Sequence, residues 1–123
     1  MSGVAKGIAR SIKSRQIGTT LISISVDGTA TTPAAGGMDA RFIGSVVDNG
    51  AGDYTINIAP GLAAQADIVP VGVVATTADR VCRVSAVTKT SIRVVCRSVA
   101  GSPAAADSDF VLTFFHREYG TNL

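Results

Sequence analysis

Cys82, Cys96 and His116 have the widest chemical repertoire in this 123-residue chain: its two thiols and its one imidazole. Together they could form a three-ligand zinc site. Such sites are signalled by a CxxC pair or a second histidine, and the chain has neither. A Cys–His nucleophile pair needs a third group to orient the imidazole, and none is evident. Asp48 with Asp53, and Asp107 with Asp109, flank turn sequences and invite a calcium reading. Capping of turn amides is the simpler use of such aspartates. Gly50-Ala51-Gly52 lies within a hairpin, with no helix start or lysine behind it, and is not a phosphate loop. The residue types point to no catalytic, cofactor-binding or metal-binding site and no small-molecule substrate. The expectation is a protein that is not an enzyme.

The elements that carry these residues read as strands. From Thr19 onward apolar side chains recur with period two, as on half-buried strands. Strands are expected over 21–26, 41–47, 53–58 and 68–76, over the two arms of a hairpin at 80–99, and over 110–118. Asp27-Gly28 and the glycine-rich run 48–52 are turns, residues 29–39 a loop, and residues 61–66 could make one helical turn. Pro70 inside a strand argues for an edge or a bulge, because proline has no amide to give a ladder. The strand 110–118 is a candidate partner for the 80–99 hairpin. Seven strands at regular spacing predict an all-β fold, an antiparallel β-sandwich or jelly-roll-like domain over 19–123.

The hairpin at 80–99 has a preferred register. Cys82, Val84 and Ala86 alternate with Arg83, Ser85 and Val87, while Ile92, Val94 and Cys96 alternate with Arg93, Val95 and Arg97. A slip of one residue would set the apolar row of one strand beside the arginines of the other. Pairing even positions with even places Cys82 opposite Cys96 and favours a three-residue loop. The two cysteines are then either buried thiols acting as small hydrophobes or, after release from the cell, a cross-strand disulfide. The opposite face presents Arg83, Arg93 and Arg97 beside Val81, Val95 and Val99. That is either an ordinary solvated face or a contact surface, since arginine is enriched and lysine depleted at interfaces. His116 shares parity with Phe110, Leu112 and Phe114 and is expected to cap that strand. Phe114 and Phe115 point to opposite faces, which offers one of them to a subunit interface.

Composition agrees with a single globular domain. Hydrophobic residues make up 46% and charged residues 16%, a lean charged surface that neighbouring copies or a partner could cover. Net charge is +2, but Lys6, Arg10, Lys13 and Arg15 all precede the first acidic residue, Asp27. Residues 1–18 therefore read as a basic N-terminal arm. Val4, Ile8 and Ile12 recur four apart on it, fitting a turn or two of amphipathic helix. The arm is then either a frayed, solvated terminus or a tether that orders against a neighbour, with Lys6, Ile8, Arg10, Ile12, Lys13 and Arg15 as its candidate contacts. Four charges without interleaved aromatics do not suggest nucleic-acid binding. No signal peptide or apolar stretch of membrane-spanning length is apparent, so synthesis in a cytoplasm and no membrane partner are expected.

Two segments carry a family resemblance. Ile12-Lys13-Ser14-Arg15-Gln16-Ile17-Gly18 resembles the opening of small tailed-bacteriophage structural proteins, often Ile-Lys-Ser-Ile-Gln-Arg-Gly, with Arg15 and Ile17 departing from that order. Residues 43–118 resemble the β-domains of phage tail-fibre and head-decoration proteins. The similar pieces are Gly52-Asp53-Tyr54-Thr55-Ile56, Ile68-Val69-Pro70-Val71, Thr90-Ser91-Ile92-Arg93-Val94 and Asp109-Phe110-Val111-Leu112. The resemblance implies a virion structural protein, a homo-oligomer with a trimer favoured, contacting the major capsid protein or other virion proteins. The first expectation is a capsid decoration or cement protein. The alternative is a receptor-binding, fibre-tip or neck module of the tail. Glycan recognition is disfavoured by the absence of tryptophan and an aromatic content of only 5%.

Overall fold

The structure, a computed structural model, describes residues 18–60 and 66–118. Eight strands follow in chain order: β1 (Gly18–Val26), β2 (Ala35–Gly36), β3 (Ile43–Gly50), β4 (Asp53–Ile58), β5 (Ala66–Ala75), β6 (Arg80–Val87), β7 (Ser91–Ser98) and β8 (Phe110–Glu118). They form two four-stranded antiparallel sheets. Sheet A has the order β2-β1-β8-β5 and sheet B the order β3-β4-β7-β6. Strict alternation sorts the side chains, because successive residues on a strand face opposite ways. β1 turns Ile22, Ile24 and Val26 inward, and β8 turns Phe110, Leu112 and Phe114 the same way. Sheet B answers with Tyr54, Ile56 and Ile58 from β4 and with Ile92, Val94 and Cys96 from β7. The Tyr54 and Phe110 rings meet across the core at 5.4 Å between centroids, tilted by 49°. This is the all-β sandwich that period-two patterning predicts.

Several details differ from the expectation. The strand 110–118 does not join the 80–99 hairpin; β8 lies in sheet A between β1 and β5. There β8 pairs along its length with β1 on one side and β5 on the other, while β7 of the hairpin takes β4 as its second neighbour. The hairpin register holds at Cys82↔Cys96 and Val84↔Val94, then shifts at Ser85, so that Val87 pairs with Ile92. This bulge adds one residue to β6, and the loop shortens to two residues, with the Thr88 amide donating to the Ser91 carbonyl at 2.9 Å. β3 begins at Ile43 rather than 41, because Arg41 and Phe42 belong to a 3-10 turn (Met38–Phe42) in which the Arg41 guanidinium sits 4.7 Å from the Phe42 ring centre. The loop 29–39 contains the short β2, which pairs with the end of β1. The helical turn expected at 61–66 falls on residues outside those described, except Ala66, which belongs to β5. Pro70 lies on edge strand β5 beside a bulge, as its missing amide requires.

One buried hydroxyl ties three segments together. The Tyr54 side chain is fully buried, and its single hydroxyl proton has two acceptors in reach: the Gly28 carbonyl at 2.7 Å and the Asp107 carboxylate at 3.0 Å. Burial and the neighbouring carboxylate push the phenol well above its ordinary pKa, so it stays a donor. Gly28 must be a glycine here, since a β-carbon would lie 2.1 Å from the Ser108 carbonyl oxygen and 2.8 Å from the Tyr54 ring. The β1–β2 turn, β4 and the segment entering β8 are thereby fixed to one another.

Candidate protein-binding face

The outer face of sheet B carries the arginines singled out in the sequence. In register, Arg83 stands opposite Val95 and Arg97 opposite Val81, so the two arginines are diagonal neighbours on adjacent strands. All three arginine side chains are exposed. They are not equivalent. Asp53, opposite Val95 on β4, takes Arg93 in a two-pronged pair: Nε donates to Oδ1 at 2.9 Å and Nη2 reaches Oδ2. That hydrogen-bonded guanidinium holds the Asp53 carboxyl below the usual carboxylate range, against a small opposing effect of burial. Among the described residues Arg83 and Arg97 have no hydrogen-bonded or ion-paired partner.

Between them runs a shallow groove of about 230 Å³, walled by Val81 and Val95 and floored by the backbone of Cys82 and Cys96, whose side chains turn inward to the core. The two cysteines face each other with Cα atoms 4.1 Å apart and are joined as a disulfide. Buried thiols were the first expectation. The register sets the sulfurs within bonding reach, and the cross-link staples β6 to β7 beneath the arginines. One end of the groove is closed by Ala105, which pairs with Arg97 where β4 has ended. The segment carrying Ala105 is held by the Ser98 amide donating to Ala104 at 2.9 Å and the Ala106 amide donating to Cys96 at 3.2 Å. Asp107 anchors its far end by accepting the Gly52 amide at 2.8 Å. Gly52 has φ +64°, and a β-carbon there would meet the Cys96 carbonyl oxygen, so position 52 admits only glycine.

Two free guanidinium forks beside the apolar walls Val81 and Val95 can each take a carboxylate side-on. The disulfide and the anchored segment hold the backbone beneath them. Being exposed, these charges attract modestly and in a salt-dependent way, and affinity would come from adding apolar contact in the groove.

No protein family, curated protein or solved structure matches the chain.

The other flagged residues are placed as follows. His116 is buried on the inner face of sheet A, in register with Thr20 and Ile68, while the cysteines belong to sheet B. Asp48 accepts the Gly50 amide at 3.0 Å, and Asp109 accepts the Thr29 amide at 3.1 Å and the Thr29 hydroxyl at 2.8 Å. Among the described residues no three histidine, cysteine or acidic side chains gather as a metal-binding group. Lys6, Ile8, Arg10, Ile12, Lys13 and Arg15 lie outside the described residues, as does the arm except Gly18, which belongs to β1. Val99 falls just beyond β7 and is exposed. Sequence reasoning missed the neutralisation of Arg93 by Asp53 and the role of Ala105. Asp53 carried a signal: it shares its outward parity with Thr55, the residue facing Arg93.

Proposed function

We propose that this chain is a non-enzymatic virion structural protein, a decoration or cement protein that binds the assembled head of a tailed phage. The observation that carries the reading is the groove between Arg83 and Arg97, a face with two unneutralised cations and the apolar walls Val81 and Val95. It suits an acidic segment of a neighbouring protein, here the major capsid protein. The basic arm, through Lys6, Ile8, Arg10, Ile12, Lys13 and Arg15, would extend the same contact across an adjacent capsid subunit. A protein that binds only the closed shell stabilises it by mass action, and needs no reacting group to do so. The resemblance of residues 43–118 to phage head-decoration domains supports the same reading.

The test is immunogold labelling of particles released from cells that carry the gene. Label on the shell supports the reading. Label confined to the tail replaces it with the fibre-tip or neck reading, and unlabelled particles overturn both.

A further inference from the structure

We infer that the outer face of sheet A is the surface on which a second copy of this chain packs. This deepens the assembly reading at a different surface from the arginine groove, and it can fail separately.

The face is built from opposed apolar residues. Leu21, Phe115 and Val69 stand side by side across β1, β8 and β5, because Leu21 pairs with Phe115 and Phe115 with Val69. Further along, Ser25, Val111 and Val74 form a parallel row. Between the rows, the bulge at Pro70/Gly72 leaves Val71 as the extra residue opposite Thr113, on the same face. Exposure is high for residues of this kind: 54% at Leu21, 59% at Val71, 66% at Val74 and 36% at Phe115. Scattered single apolar residues on a surface need no explanation, but adjoining ones on neighbouring strands form a patch.

Three features select the occupant. First, both edges of sheet A are interrupted against an added strand. On β5, Pro70 has no amide and the bulge breaks the ladder. On β1, β2 pairs with Ser25 and Val26, and the Asp39 carboxylate accepts the next outward amide, that of Ser23, at 2.9 Å. These interruptions favour a partner that approaches face-on. Second, among the described residues the strands of this face carry no net charge: Asp67 and Arg117 are opposed at one end and pair with each other at 3.6 Å. An acidic or basic partner has nothing to address here. Third, symmetry brings like surface to like surface. A neutral apolar face accepts that without repulsion, whereas the face with Arg83 and Arg97 would repel its own copy.

The test is the mass of the full chain in solution by light scattering, beside the variants Phe115→Glu and Val74→Glu, with circular dichroism to confirm the strands. The wild type is expected at twice the 12.5 kDa of one chain, the two-fold arrangement that sets like surface on like. Each variant should fall to the single-chain mass, and Arg83→Glu should leave the oligomer intact. Val74 is the more exposed site and keeps the test valid if Phe115→Glu fails to fold. A monomeric wild type overturns the inference and leaves the face to residues 1–17 or another protein. An oligomer that survives both folded variants overturns it too. A monomer found on shells would sink this inference and spare the decoration reading; an oligomer absent from particles would do the reverse.

Discussion

Replacing Tyr54 by phenylalanine removes one oxygen atom and keeps the ring against Phe110. The lost hydroxyl leaves the buried Gly28 carbonyl without its donor, whereas Asp107 still accepts the Gly52 amide. Leaving a buried acceptor unsatisfied costs about 1–3 kcal/mol, so about 2 kcal/mol is expected. Unfolding entropies near 2 cal/mol/K per residue give roughly 0.2 kcal/mol/K for about 100 ordered residues. The melting temperature should therefore drop by about 10 °C. In urea, with a slope of about 2 kcal/mol/M, the midpoint should move by about 1 M. Gly28→Ala should cost more, because its β-carbon meets the Ser108 carbonyl, a backbone oxygen that cannot rotate aside. Matched urea and thermal melts of the three proteins provide the assay. A Tyr54→Phe loss below about 0.5 kcal/mol would refute the tie between the β1–β2 turn, β4 and the segment entering β8.

Two further perturbations probe the arginine face. Reducing the disulfide, which spans a separation of 14 residues, should lower stability by about 2–3 kcal/mol, read from urea midpoints with and without dithiothreitol; coincident curves would refute the cross-link. Asp53 has a folded pKa below its unfolded value of about 3.9, so its contribution is complete above that pH and is lost as pH falls through the folded value. Arg93→Gln should thus destabilise at pH 7 and progressively less as pH falls below the unfolded value, and a loss that does not change with pH would refute the pair.

The two-layer fold was legible because most of the strands keep one parity: Ile22, Ile24 and Val26 are all inward, as are Phe110, Leu112 and Phe114. The Cys82–Cys96 pairing was legible for the same reason, since a slip would have put arginines beside core residues. Parity was silent on two matters. It does not say which sheet a strand joins, so β8 was assigned beside the hairpin rather than between β1 and β5. Nor does it reveal a bulge, and Ser85 turned an expected three-residue loop into one of two. At the candidate face, the outward row of arginines was readable. The unequal state of Arg93 was not, because Asp53 comes from a strand 40 residues distant in sequence. Ala105 carried no signal, since only the loss of β4 as a neighbour gives that segment a place beside Arg97.

The placement of β8 between β1 and β5 governs the order in which the molecule can form. Sheet B draws on residues 43–98; its β3–β4 and β6–β7 ladders close across tight turns, while its β4–β7 ladder spans the longer stretch that carries β5 and β6. In sheet A, Gly18 pairs with Glu118. Closing a loop of about 100 residues costs roughly 4 kcal/mol of chain entropy, beyond a constant term, before any contact repays it. Until β8 arrives, β1 has only the two residues of β2 beside it, and Ile22 and Ile24 have half a core to enter. The β3–β4 and β6–β7 hairpins can therefore pair before β8 is made, while β1 waits for it. Sheet A closes last, and the protein is most prone to wrong pairing in that interval.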